Sequence, residues 1–118
     1  MNRIEIEVLK PQAALDAFSD TWQRAKAGEA VIPRLAFGSL REIFSVLTEK
    51  RLELMRHVAS HEELNTHQLS KQLGRDYKNV YTDVTALIEL GLLEKDERGG
   101  LLAPFDEIVI HAGIRDAA

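Results

Sequence analysis

Polar and apolar residues alternate over positions 2–9, with Ile4, Ile6 and Val8 set against Glu5 and Glu7; this period of two predicts a half-buried strand. The period then lengthens. Pro11 suits a first helical turn, where its missing N–H has no partner to lose. Leu15, Phe18, Trp22 and Ala25 follow at helical spacing, and Gly28 is a natural stop. Residues 29–38 read as extended, since Pro33 pushes Ile32 away from helix. Ser39-Leu40-Arg41-Glu42 has the form of a capping box, in which the serine oxygen and the glutamate each satisfy a free N–H. It opens a short helix carrying Leu40, Ile43, Phe44 and Leu47. Thr48 caps the next, with Leu52, Met55, Val58 and Ala59 as its apolar face. Asn65-Thr66-His67-Gln68 is a second capping box, before a helix that buries Leu69 and Leu73 and ends near Gly74. Asp76 caps a longer helix with Val80, Val84, Leu87 and Ile88 inward, stopped by Gly91.

Beyond Gly91 the pattern returns to strands. Leu92-Leu93-Glu94-Lys95 and Leu101-Leu102-Ala103 flank Asp96-Glu97-Arg98-Gly99-Gly100, a turn rich in glycine and charge, and Ile108-Val109-Ile110 reads as a last strand. Three helices and a hairpin across 48–104 is the order of a winged helix-turn-helix. The expected fold is therefore α+β and mainly helical, with a strand–helix arm over 1–38 and a winged helix-turn-helix domain over 39–118. The helix-turn-helix itself lies at roughly 65–91, joined through Gly74-Arg75-Asp76. If Val80, Val84 and Leu87 face the core, the opposite face presents Tyr77, Lys78, Tyr81, Thr82 and Thr85, with Asn79 alongside. Those side chains suit a major groove: Asn offers a bidentate pair to adenine, Lys reaches guanine or phosphate, and Tyr and Thr hydroxyls bind phosphates.

Composition narrows the possibilities. The chain has 118 residues, 45% of them hydrophobic and 29% charged, which is enough for one folded core. It has no cysteine, so a disulfide scaffold, a zinc ribbon and a thiol nucleophile are excluded. No apolar run approaches the ~20 residues that span a bilayer, and the N-terminus lacks a signal-like apolar stretch, so the cytoplasm is the expected address. The net charge is −4, so a nucleic-acid site has to be local. Within 71–82, Lys71, Arg75 and Lys78 stand against Asp76 alone, a net +2. Residues 83–97 hold five carboxylates against Lys95, a net −4. Binding of DNA is expected to be weak outside a specific site, with a shallow salt dependence. An acidic winged helix also fits a protein-interaction module, in which Tyr77 and Tyr81 pack on neighbouring helices and Asp76 is only a cap.

Several runs resemble a family of small prokaryotic predicted transcriptional regulators. Leu47-Thr48-Glu49-Lys50-Arg51-Leu52-Glu53-Leu54-Met55 is one, and Leu73-Gly74-Arg75-Asp76-Tyr77-Lys78-Asn79-Val80 is the most specific. Asp83-Val84, Leu90-Gly91-Leu92-Leu93 and Pro104-Phe105-Asp106-Glu107-Ile108 continue the likeness, which also takes in the Trp22 helix and Phe37-Gly38-Ser39-Leu40. The family is of a MarR/ArsR-like winged-helix kind, often read as antitoxins encoded beside a small toxin. The resemblance implies a recognition-helix role for Arg75, Tyr77, Lys78 and Asn79 and a cognate toxin partner; the expected regulator represses its own operon as a homodimer, whose two-fold symmetry calls for a palindromic operator in double-stranded DNA. One position departs: the family commonly carries a basic residue where this chain has Thr82.

The rest of the chain adds less chemistry. Arg98, at the tip of the wing, can reach a minor groove or a phosphate, yet Asp96 and Glu97 flank it. His57 and His61 are four apart, a spacing that can set two imidazoles on one helix face for a metal; the helix ends close by, and they read as exposed histidines near a turn. Glu62-Glu63 and Asp106-Glu107 are neighbours that point apart rather than converge. No phosphate loop, nucleophile elbow or triad pattern appears, so no enzyme, cofactor or metal is expected. In the arm, Ile4, Ile6, Leu15, Phe18 and Trp22 are the expected homodimer or partner interface, with strand 107–111 joining its sheet.

Overall fold

The alternation at the N-terminus and the helical periods that follow appear directly in the computed structural model, which describes residues 2–9, 11–28, 32–61 and 63–114. Residues 29–31 of the extended stretch and Glu62 of the carboxylate pair lie outside the described residues. In chain order the elements are β1 (Arg3–Val8), α1 (Pro11–Lys26), β2 (Arg34–Phe37), α2 (Leu40–Val46), α3 (Glu49–Ser60), α4 (Thr66–Leu73), α5 (Tyr77–Glu89), β3 (Glu94–Lys95), β4 (Leu101–Leu102) and β5 (Glu107–His111). The chain is α+β and about half helical. No helix among the described residues is long and apolar enough to cross a membrane.

Two units form. One holds the residues up to Ser45 together with those from Glu107 onward; the other is Val46–Asp106. The division thus falls beyond residue 38, because α2 and β5 belong with the arm.

In the first unit, β1 is the central strand of a sheet ordered β2-β1-β5, and both pairings are parallel. Parallel neighbours need a crossover, and α1 supplies the one between β1 and β2. The register sets Ile4, Ile6 and Val8 on one face with Leu35, Phe37, Ile108 and Ile110. Glu5 and Glu7 share the other face with Arg34, Val109 and His111. There Arg34 lies 3.5 Å from Glu5 and 3.9 Å from Glu7, and His111 Nε2 lies 3.5 Å from Glu5. Ile4 and Ile6 are 3% and 0% exposed, which corrects their expected place in an interface: they are interior residues of the protomer. Leu15, Phe18 and Trp22 do lie on the surface, Phe18 at 69% exposure, with the Lys26 ammonium 4.2 Å over the Trp22 ring. Ser39 accepts from the Glu42 N–H at 3.2 Å, but the Glu42 carboxylate takes the N–H of Gly38 rather than that of Ser39. Of the α2 residues expected inside, Ile43 is buried and Phe44 is exposed.

In the second unit, α3, α4 and α5 precede the antiparallel β3–β4 pair. The caps sit where the sequence sets them. Thr48 accepts from the Arg51 N–H, and Asn65 and Gln68 form a complete capping box at 2.8 and 3.0 Å. The apolar face of α3 keeps part of the expected set: Val58 is buried, Leu52 and Met55 are half-buried, but Ala59 is exposed and Leu54 is buried in addition. The core is Leu54, Val58, Leu69, Val80, Val84 and Leu87, closed by Leu92, Leu93 and Leu101. The hairpin is short, two residues a side, and is held at its turn by Asp96, whose carboxylate accepts from Arg98 and Gly100 N–H. The Leu101 N–H bonds Leu64 O at 2.8 Å, tying β4 to the segment before α4.

Candidate nucleic-acid interface

The link between α4 and α5 is two residues long after Gly74, and its geometry follows from the sequence. Gly74 adopts φ +64°, a left-handed conformation that costs glycine nothing, and its N–H closes on Lys71 O. The Arg75 N–H returns to Ser70 O at 3.1 Å, so two carbonyls of the last turn of α4 are satisfied. Asp76 then accepts from the Asn79 N–H at 3.3 Å and starts α5.

Val80, Val84 and Leu87 face inward, as their spacing predicts. Asp83 falls on the same phase of the helix, and a carboxylate there needs partners. It has two. Arg51 Nε of α3 lies 3.0 Å from Oδ1, and Arg75 Nη2 lies 2.7 Å from Oδ2. Arg51 also donates through Nη1 to Val46 O at 2.9 Å. The Asp83 side chain is only 15% exposed. That burial works to raise its pKa, but the hydrogen bonds from Arg75 and Arg51, reinforced by their charges, outweigh it and hold the carboxyl below its ordinary value. The triad fixes the rotation of α5 against α3 and against the preceding turn.

With that rotation fixed, Tyr77, Lys78, Asn79, Tyr81, Thr82 and Thr85 are all exposed, within a little over two turns of one helix. Tyr77 and Tyr81 have ring centroids 6.0 Å apart, and the His67 ring of α4 lies 5.5 Å from Tyr77. An aromatic row therefore crosses from α4 to the first turns of α5. The Thr82 hydroxyl donates to Lys78 O at 3.0 Å, which spends its proton but leaves its lone pairs. Lys71 and Lys78 are exposed cations of this region. Chemically, the face offers a carboxamide, an ammonium group, aromatic edges and hydroxyls, a set able to meet base edges and phosphate oxygens.

Arg75 is not on that face. Its guanidinium is engaged with Asp83 and its side chain is 21% exposed, so a residue to which the resemblance gives a recognition-helix role is a strut of the fold. Arg98 sits in the β3–β4 turn with an exposed side chain, apart in sequence from the α5 residues. Two kinds of residue escaped the sequence reading. His67 comes to Tyr77 only through the packing of α4 on α5, which no local pattern shows. Arg51 and Asp83 did leave a signal, since an acid at the inward phase of a helix implies a buried cation.

The His57 and His61 rings stack at 4.0 Å between centroids, His57 Nε2 meets Gln72 Oε1 at 2.6 Å, and His61 Nδ1 meets His57 O at 2.9 Å. Among the described residues no group of three or more His, Cys, Asp or Glu side chains is arranged to hold a metal ion.

Residues 46–110, more than half of the chain, match the model of a protein family described as HVO_A0114. No curated protein and no solved structure matches the chain.

Proposed function

This chain belongs to the HVO_A0114 family, and we propose that it is a sequence-specific DNA-binding transcriptional regulator built on a winged helix-turn-helix. In this reading α4 and α5 are the helix-turn-helix and β3–β4 is the wing. The first half of α5 enters the major groove of a palindromic operator, and the protein acts as a homodimer that represses its own operon. The observation that carries the reading is the set of exposed polar and aromatic side chains at Tyr77–Thr82 on a helix held in rotation by Asp83. A reading surface has to be rigid as well as chemically suited, and the triad makes it so. Asn79 and Lys78 read bases, Tyr77, Tyr81, Thr82 and Thr85 take backbone positions, and His67 joins them. Arg98 adds a wing contact. The resemblance to antitoxin-type regulators supports a cognate toxin as protein partner and the cytoplasm as the place of action.

A second reading rests on charge. The chain is acidic overall, and Arg75 spends its charge on Asp83, so the face is more aromatic than basic. That suits a protein-interaction module, an adaptor or toxin neutraliser that never meets DNA. Charge reversal at Lys71 and Lys78 separates the two, with Arg75 left alone because it holds the fold. Binding of a labelled duplex from the protein's own upstream region is followed by fluorescence anisotropy at two salt concentrations. The DNA reading predicts salt-dependent binding that Lys71→Glu with Lys78→Glu abolishes. No binding by the folded wild-type protein to that duplex or to a genomic pool contradicts it.

A further inference from the structure

We infer that the free edge of β5 is where two copies of this chain join, antiparallel and in a single register, doubling the sheet. β5 is the outer strand of the order β2-β1-β5, and among the described residues no other strand pairs with its far side. Natural sheets protect such edges with proline, charge, bulges or very short strands. The opposite edge has that protection: Pro33 precedes β2, a strand of four residues whose Arg34 is engaged with Glu5 and Glu7. β5 has none of it. Its five residues include no proline, glycine or lysine, and its centre is three β-branched residues, Ile108-Val109-Ile110. Such a strand is well formed for a further neighbour.

The register follows from symmetry. A two-fold axis normal to the sheet keeps each face on its own side, so a residue meets one of the same parity. The register that overlaps all of β5 centres on Val109, which opposes itself. Ile108 of one copy then meets Ile110 of the other, on the face that carries Ile4 and Ile6, and the exposed Ile110 is covered. Glu107 of each copy meets His111 of the other, a carboxylate opposite an imidazole N–H, twice over. A shift of two residues in either direction sets Glu107 or His111 against Val109 and loses both polar pairs. Cross-strand pairs of these two kinds stabilise sheets. Complementarity therefore selects both the partner, a second copy, and the register.

This inference gives the proposed homodimer its surface and rests on that reading only for the use of the two-fold axis; association is measured without DNA. The chain has no cysteine, so a single Val109→Cys variant reports the register against a clean background. Antiparallel partners have Cα atoms about 4.5–5.5 Å apart, inside the roughly 4.4–6.8 Å that a disulfide spans. The full chain is expected to sediment as a dimer. Under mild oxidation Val109→Cys should give covalent dimer on the order of 1,000-fold faster than Ala36→Cys on the other edge, because paired thiols meet at about millimolar rather than micromolar effective concentration. A wild-type monomer overturns the inference, since it does not depend on any variant folding. So does a dimer in which Val109→Cys couples no faster than Ala36→Cys, which moves the interface elsewhere, to the Leu15–Trp22 stripe for example. A dimer that couples at 109 but captures no DNA upholds this inference while removing the functional reading.

Discussion

Asp83 shows how a single residue governs what α5 presents. It stands at the inward phase with Val80, Val84 and Leu87, and Arg51 and Arg75 close on its two oxygens. Replacing it with asparagine removes the anion and leaves two guanidinium groups facing one another, largely out of water. Asp83→Asn is expected to cost about 3 kcal/mol, the low end for breaking a buried ion pair, read as a lower urea midpoint. The pH dependence has a definite sign. The folded pKa is depressed, so the carboxylate's stabilisation is fully present above the unfolded value, about 3.9, and is lost as pH falls through the folded value. The wild-type advantage over Asp83→Asn should hold at pH 7 and shrink below about pH 4. Outside the core, Asn79 is exposed and its backbone N–H is taken by Asp76, so its carboxamide is available to a base. Asn79→Ala should cost about 1–3 kcal/mol at one base position and relax specificity there, read from binding to single-substitution operator variants. The sequence made Asn79 and Lys78 visible as exposed polar residues. Arg75 looked the same and proved to be a strut, because its partner lies eight residues on, two turns into α5.

Among the elements, those with local punctuation were legible from residues alone. Thr48, Asn65 with Gln68, Gly74 and Asp76 each act where a capping rule puts them, because a cap is satisfied within three or four residues. Asn65→Ala removes the acceptor of the Gln68 N–H and should cost about 1 kcal/mol, checked by a lower thermal midpoint in circular dichroism. The face of α3 was less legible. Reading Ala59 as inward follows hydrophobicity, yet it is exposed, and the inward stripe takes in Arg51, Leu54, Met55 and Val58 with Leu52 half-buried beside it, since the ion pair with Asp83 turns Arg51 to the inside. The glutamate of the Ser39 box reaches Gly38 rather than Ser39, a one-residue difference at the helix start.

At the scale of the whole molecule, the sequence foretold that strand 107–111 joins the sheet of the arm, but not that it pairs in parallel with β1 about a hundred residues away, nor that most of α2 belongs to the same unit and moves its boundary beyond residue 38. The same pairing buries Ile4 and Ile6 and leaves β5 as an edge. The α4–α5 pair, by contrast, is local: two residues follow Gly74, and the surface they present is the centre of the account. The most direct test is capture of sheared genomic DNA, including the protein's own upstream region, at near-physiological salt, with the bound pool sequenced. The account predicts a recurring inverted motif that disappears with Lys71→Glu and Lys78→Glu. A featureless pool, drawn by a protein shown to be folded in the same buffer, would contradict it.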